Sequence, residues 1–213
     1  MKYPILYSFK RCPYAMRARM SLKLADIKCE LREVRLSNKP DHMLEVSPKG
    51  TVPVLILKDK VIDESIEIIN WALQQNNIFD GNLSEDQEIY SEKMIKLFDE
   101  KFKYHLDRYK YSSRYKDSDE IEHRNECVKI LCELENNLSN QDWFFGEKIN
   151  KLDIAILPFL RQFRIANPKW FDEDLELKKV KKYLHRFIES NLLRDVMTNY
   201  EVWRKDSALS YFP

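Results

Sequence analysis

Phe9-Lys10-Arg11-Cys12-Pro13-Tyr14-Ala15-Met16-Arg17 is the stretch on which the reading of the fold turns. Before it lies a short apolar run, residues 5–9, which reads as a buried strand. After it, residues 13–25 carry Ala15, Ala18, Leu22 and Ala25 on one helical stripe and Met16, Met20 and Leu24 on another. Apolar character on two stripes predicts a helix with little free surface. Pro13 suits the first helical position, because its fixed φ and missing N–H cost nothing there. Cys12 then falls at the N-cap, where open backbone N–H groups and the positive end of the helix dipole favour a thiolate. Arg11 and Arg17 add positive potential. A thiol so placed is expected to titrate roughly one to several units below about 8.5.

Working outward, residues 29–36 read as a second strand. Strand, helix and strand in so short a span make a right-handed βαβ unit with parallel strands. Residues 54–57 and 61–63 follow, joined only by Lys58-Asp59-Lys60, a connection short enough to force an antiparallel hairpin. Residues 66–73 close the unit as a helix. The order βαβ then ββα, around a cysteine at the first helix, is that of an α/β thioredoxin-like fold. A dithiol oxidoreductase would carry a second cysteine three positions after the first, and here that position is Ala15. Cys12 therefore cannot resolve its own mixed disulfide and needs an external thiol to turn over.

The rest of the chain has a different texture. Residues 1–76 hold five of the eight prolines but only five aromatics, whereas the remaining residues hold 21 aromatics in long periodic segments. Between them, residues 77–84 form a turn-rich linker. The expected division is a thioredoxin-like domain at 1–76 and an all-helical domain at 85–213. In the latter, Met94, Phe98, Phe102, His105 and Tyr109 recur at helical spacing, as do Ile121, Val128, Leu131, Leu134 and Leu138. Asn150 at an N-cap with Asp153 at the third helical position predicts a reciprocal cap, and Ile149 can staple onto Ile154. A last long helix is expected over 175–191.

Composition narrows the function classes. The 36 basic and 35 acidic residues of this 213-residue chain leave a net charge of +1, which argues against a dedicated nucleic-acid or membrane-surface protein. Three glycines, Gly50, Gly81 and Gly146, stand where average usage gives about 15, so neither a dinucleotide fingerprint nor a P-loop can be built. The N-terminus lacks an apolar h-region, and the longest apolar stretch, 154–160, is far too short to span a bilayer. Cysteines at 12, 29, 127 and 132 are too few and too scattered for a disulfide scaffold, so a reducing cytoplasm is expected. Apart from Cys12, they read as core fillers. His123 and Cys127 are one helical turn apart, but nothing completes a metal site, and no metal is expected. The lysines of Lys178-Lys179-Val180-Lys181-Lys182 flank a buried stripe of Leu177, Val180, Leu184 and Phe187, which makes them a solvated face rather than a nucleic-acid surface.

Cys12-Pro13-Tyr14-Ala15, Ser47-Pro48-Lys49-Gly50-Thr51-Val52-Pro53-Val54-Leu55, Asp63-Glu64-Ser65 and the Gly146–Asp153 cap together resemble the glutathione transferase superfamily along the whole chain. The cysteine motif and Asn38-Lys39-Pro40 are most similar to the omega class and its bacterial relatives. Two-domain bacterial glutaredoxins are also similar, but carry the second cysteine that Ala15 replaces. The physics of the motifs agrees with the resemblance. A Val52-Pro53 bond between loop and strand is a candidate cis peptide, leaving the Val52 N–H and C=O for an extended peptide to pair with. Glu64 and Ser65 open a helix whose N-terminus offers a carboxylate site, with Glu64 placed to hold an ammonium group.

The resemblance implies glutathione as co-substrate, held by Phe9, Pro13, Tyr14, Lys39, Val52, Pro53, Glu64 and Ser65, and a homodimeric assembly. With cysteine in place of the tyrosine or serine of other members, it implies thiol transfer through a Cys12–glutathione mixed disulfide. The substrates so implied are disulfides, dehydroascorbate or glutathionyl-quinones. Conjugation of electrophiles is the alternative within the enzyme class. A non-catalytic regulator or ligand carrier of the same fold is the alternative outside it, lowered by the retention of Cys12 and Glu64-Ser65. The second substrate is expected between the domains, against Tyr104, Arg108, Tyr111 and Tyr115 on one helix face, with Trp203 of the C-terminal tail as cover.

Overall fold

The structure is a computed structural model and describes residues 2–76, 83–115 and 119–213. Of the expected linker, residues 77–82 lie outside the described residues. The chain divides into two compact units, Met1–Ile78 together with Ser190–Pro213, and Phe79–Glu189.

The first unit is a mixed five-stranded sheet in the order β4-β3-β1-β2-β5, formed by β1 (Ile5–Ser8), β2 (Cys29–Glu33), β3 (Val54–Ile56), β4 (Val61–Ile62) and β5 (Tyr211–Phe212). β1 and β2 run parallel, with Ile5 opposite Glu30 and Ser8 opposite Glu33, while β3 pairs antiparallel with both β1 and β4. This is the thioredoxin-like arrangement. The crossover helix α1 (Pro13–Leu24) packs against α3 (Ser65–Gln75). Every residue from Ala15 to Leu22 is buried, as the two apolar stripes require, and that burial takes in Arg17 and Arg19. Ile5 and Tyr7 join Ala15 of α1 in a cluster with Val34, Met43, Val52, Val54 and Ile56. A short helix, α2 (Asp41–Val46), supplies Met43 to that cluster. It has too few residues to show periodicity in the sequence.

The expected assignment of everything from residue 85 onward to a helical domain fails for the last segment. After α10 (Asn191–Val196), the chain returns to the sheet, where β5 pairs antiparallel with β2 and Phe212 is buried at 1% exposure. An open edge of β2 needs partners for its N–H and C=O groups, and Tyr211 and Phe212 provide them. A two-residue strand leaves no pattern to read.

The second unit is helical. It contains α4 (Glu85–Leu97), α5 (Lys103–Lys110), α6 (Glu120–Asn137), α7 (Lys151–Ala166), α8 (Pro168–Glu173) and α9 (Lys178–Glu189). The periodic stretch through Phe98 and Phe102 is not one regular helix. A π-helical turn spans Phe98–Phe102, and the two rings stack at 4.4 Å. α7 is buried from Leu152 to Leu160 and is the axis of the unit. Its start forms the predicted reciprocal cap: the Asn150 side chain accepts the Leu152 and Asp153 N–H groups, and Asp153 accepts the Asn150 N–H at 2.7 Å. Asp153 also accepts the Phe144 N–H and the Tyr183 hydroxyl. Burial pushes its carboxyl up to about 7, against the downward pull of those hydrogen bonds.

On α9, Val180, Leu184 and Phe187 are buried as expected. Lys178, Lys179 and Lys182 are exposed, as a solvated face requires; Lys179 donates to the Leu138 carbonyl and the half-buried Lys181 to that of Asp172. Glu135 of α6 caps the helix by accepting the Lys179 and Val180 N–H groups at 3.0 and 2.8 Å. Among the described residues, no helix is long and apolar enough to cross a membrane.

Candidate active site

Cys12 stands at the N-cap of α1 in extended conformation, with Pro13 at the first helical position. The turn that delivers it from β1 is closed by its own N–H on the Phe9 carbonyl at 2.9 Å, and its carbonyl accepts the Met16 N–H. Its side chain makes no capping bond to the helix. Instead the half-buried thiol faces the Val52 carbonyl at 3.8 Å, and the Val52-Pro53 peptide is cis. Cys12 and Phe9 both pack on the Tyr7–Met43–Val54 cluster, and Arg11 lies over the Phe9 ring at 5.3 Å.

Arg17 makes a contact that the sequence reading does not include. It is fully buried beneath α1, lies over the Tyr14 ring at 5.3 Å, and donates to the Ser65 hydroxyl at 3.2 Å. The guanidinium thus brings its charge to the N-terminus of α3, where Ser65 is 4% exposed. A guanidinium beside a hydroxyl and a helix start is a strong setting for a carboxylate. Glu64, the residue before, is exposed and forms an ion pair with Lys49, whose ammonium also donates to the Asp63 carbonyl at 3.4 Å. The Asp63 carboxylate accepts the Ser47 hydroxyl at 2.6 Å, tying the loop before Pro53 to the start of α3. Gly50 turns this loop with φ +64°, and a Cβ there would come within 3.8 Å of the Lys39 ammonium and 3.3 Å of Leu44. Lys39 is thereby folded over the same loop. Sequence reasoning missed Arg17 as a partner of Ser65 and Lys49 as a partner of Glu64. Both contacts are long-range, and only the helical phase of Arg17 carried a trace of the first.

The other cysteines differ from the expected set of core fillers in one case. Cys29 and Cys127 are buried, and burial pushes the Cys29 thiol up to about 12 and raises that of Cys127 as well. Cys132 is exposed on α6, because it lies one position off the buried Cys127–Leu131–Leu134 stripe. His123 makes its contact with His105, Nδ1 to Nδ1 at 2.7 Å, while the Cys127 thiol faces the Phe102 carbonyl.

The residues expected to line a second-substrate pocket are not all of one element. α5 ends at Lys110, and the polar Ser112–Arg114 stretch makes a 3-10 turn, so Tyr115 is not on the helix face of Tyr104. The turn nonetheless brings Tyr115 back over Arg108, which is stacked between it and Tyr104 at 4.6 and 3.5 Å. Tyr111 stacks on Arg114 instead, at 4.4 Å. Trp203 is built into the sheet unit rather than standing as a cover. Its N–H donates to the Glu33 carbonyl, and its ring meets Tyr7 edge-on at 6.0 Å and Arg32 at 4.4 Å.

Two family models match the sequence. Residues 6–80 match the glutathione S-transferase N-terminal domain, and residues 102–191 match the glutathione S-transferase C-terminal domain. The chain belongs to the glutathione S-transferase family. Among its relatives is the probable glutathione S-transferase MSR-1 of Nicotiana plumbaginifolia, 30% identical over 75% of this chain and 73% of that one. Another is the glutathione S-transferase omega-1 of Rattus norvegicus, 28% identical over 74% of this chain and 66% of the other. A glutathione transferase family member from Pseudomonas fluorescens, solved with two glutathione bound, superposes with a TM-score of 0.78 at 16% identity, over 92% of both chains. The glutathione S-transferase fold of this chain thus keeps Cys12 where α1 begins, the Val52-Pro53 loop beside it, and the Glu64-Ser65 helix start in the same unit.

Proposed function

We propose that this glutathione S-transferase is a thiol transferase or reductase that works through a mixed disulfide between Cys12 and glutathione. The observation that carries the reading is the position of Cys12: at the open N-terminus of α1, facing the Val52 carbonyl, with Ala15 where a resolving thiol would stand. Glutathione is an extended peptide. Its main chain pairs with Val52, its γ-glutamyl carboxylate is held at Ser65 and Arg17, and its ammonium competes with Lys49 for Glu64. Lys39 is poised over the loop for the glycine carboxylate. Phe9, Pro13 and Tyr14 shape the wall beside the thiol.

In turnover, the Cys12 thiolate attacks the glutathione sulfur of a substrate disulfide. The S–S bond breaks, the substrate thiolate leaves and takes a proton from solvent, and a Cys12–glutathione disulfide forms. A second glutathione thiolate then attacks the bound glutathione sulfur, releasing glutathione disulfide and the Cys12 thiolate. A glutathionyl-hydroquinone offers the same glutathione sulfur: Cys12 attacks it, the ring carbon–sulfur bond breaks and the carbon takes a proton. Dehydroascorbate carries no sulfur; there the Cys12 thiolate adds to a carbonyl, and glutathione attacks the Cys12 sulfur, releasing ascorbate and leaving the same Cys12–glutathione disulfide. The stack of Tyr104, Arg108 and Tyr115, with Tyr104 half exposed, favours a second reading for flat electrophiles, namely conjugation to glutathione. All four cysteines are thiols, in keeping with a reducing cytoplasm. The assembly that the family resemblance suggests is a homodimer, checked by light scattering.

Intact mass after incubation with glutathione disulfide tests the main reading. The expected result is one glutathione on the Cys12 peptide, removed by excess reduced glutathione. No adduct on Cys12 overturns it and leaves conjugation to be assayed with model electrophiles.

A further inference from the structure

Directly behind the Cys12 turn lies a buried ion pair that the reaction itself does not use. Arg19, fully buried on α1, donates from Nε to the Ser8 hydroxyl at 2.8 Å, from Nη1 to the Val196 carbonyl at 3.1 Å, and from Nη2 to Glu33. Glu33 ends β2 and is 8% exposed. Its other carboxylate oxygen accepts the Lys10 N–H at 2.7 Å, and its backbone carbonyl accepts the Trp203 N–H at 2.8 Å. Lys10 is the residue after Phe9 in the turn that the Cys12 N–H closes. Glu33 therefore touches the turn that aims the thiol and Arg19 of α1 by its carboxylate, and the C-terminal segment by its backbone carbonyl.

That segment is tied down along its length within the sheet unit. Asn199 accepts from the Lys10 ammonium, Val202 bridges to Glu33, the Ser210 carbonyl accepts the Leu31 N–H at 2.8 Å, and β5 completes the sheet beside β2. The Asn199 tether ends on Lys10, and those of Val202 and Trp203 on Glu33, the residues that bond to each other behind Cys12. An ion pair in a protein interior is a poor source of stability, since well-packed apolar residues of similar size often serve as well or better. What a buried pair with several hydrogen bonds does supply is one fixed geometry.

We infer that the Glu33–Arg19 pair, keyed to the C-terminal segment, is a positioning device for Cys12: it holds the Lys10 peptide so that the thiol rests at the N-terminus of α1 facing Val52. This rests on Cys12 being the reacting thiol. Glu33, Arg19 and Asn199 are positioning residues, acting through the turn and not on glutathione itself. The helix N-terminus favours a thiolate only over the first turn, so a small displacement of Sγ weakens that effect.

The test is the rate of iodoacetamide alkylation of Cys12 against pH in the full chain, read by peptide mass so that exposed Cys132 is separated from it. Two double variants compare like with like. Arg19→Met with Glu33→Gln removes both charges but keeps an acceptor for the Lys10 N–H, whereas Arg19→Met with Glu33→Leu deletes the acceptor. The Leu variant is expected to move the alkylation midpoint up by about half a pH unit and to slow the reaction at neutral pH about threefold, while the Gln variant, which loses the pair but keeps an acceptor for the Lys10 N–H, moves it in the same direction by about half as much. Asn199→Ala cuts an exposed tether, does not threaten folding, and is expected to slow alkylation about twofold. Asp195→Asn breaks the surface pair with Lys23, a tether of the same segment to α1 away from the turn, and is expected to leave the profile unchanged. Coincident profiles for the parent and both double variants overturn the inference. If neither double variant folds, an unchanged profile in Asn199→Ala overturns it. A parent Cys12 that alkylates but takes no glutathione instead sinks the thiol-transfer reading and leaves the positioning result standing.

Discussion

Two helix N-termini in this chain are built from the same backbone chemistry and end up differently. At α7 the end is saturated: Asn150 and Asp153 cap each other, and Asp153 further binds the Phe144 N–H and the Tyr183 hydroxyl in a fully buried site. At α1 the N-cap is Cys12, whose side chain makes no capping hydrogen bond, and Pro13 contributes no N–H of its own. The positive end of the helix dipole there has a sulfur beside it instead of a carboxylate. A saturated end is a folding device, and an open end is a place to stabilise charge. Changes at α7 should therefore appear in stability, and changes at α1 in reactivity.

The largest effect expected is at the open end. Cys12→Ser abolishes the glutathione adduct and disulfide reductase turnover while glutathione binding survives, as calorimetry beside a coupled assay would show. Turnover undiminished in this variant would erase the contrast.

Next comes the saturated end. Asp153→Ala leaves the Phe144 and Asn150 N–H groups and the Tyr183 hydroxyl buried without their acceptor, and should cost about 3 kcal/mol in denaturant unfolding, with reactivity per folded molecule retained. The same carboxyl makes stability depend on pH. It keeps its proton in the folded chain to about 7, whereas the unfolded chain releases it near about 3.9. Its stabilising contribution is thus whole below the unfolded value and is lost as pH rises through the folded one. Unfolding midpoints should fall from about pH 4 to about pH 7 and level off above it, and Asp153→Asn should flatten that slope whatever it does to absolute stability.

Smaller changes refine the α1 side. Ser65→Ala removes the hydroxyl bonded to Arg17 and should weaken glutathione binding about fivefold, leaving the alkylation profile of Cys12 in place. Lys49→Met breaks an exposed pair with Glu64, so stability should change by less than about 0.5 kcal/mol. On the proposed reading the ammonium of glutathione and that of Lys49 compete for one carboxylate, so binding should tighten slightly. Weaker binding in Lys49→Met would show that Lys49 contacts the ligand itself.

Much of this was legible in the chain because it is local. Pro13 after Cys12, Asn150 three residues before Asp153, and Lys58-Asp59-Lys60 between two apolar runs each declare a cap or a turn within a few residues. The buried face of α1 was legible too, from helical period. Less was legible where a residue's role depends on what crosses it. Arg17 and Arg19 are two positions apart on one helix, and the sequence offers no reason why one should meet Ser65 and the other Glu33. Spacing alone puts Tyr115 on the helix of Tyr104, but the helix stops at Lys110. Trp203, Tyr211 and Phe212 carry no period at all, yet they complete the sheet.

By itself, then, the sequence determined the thiol at a helix start, the absence of a partner cysteine, the βαβ–ββα order and the α7 cap, since all of these are set by neighbours along the chain. Only the tertiary structure decided that the last residues return to β2, that Arg17 serves Ser65, and that Glu33 holds the Cys12 turn. Those are contacts between residues tens to nearly two hundred positions apart. Their partners are selected by which faces the sheet and helices bury together, and no local pattern encodes that choice.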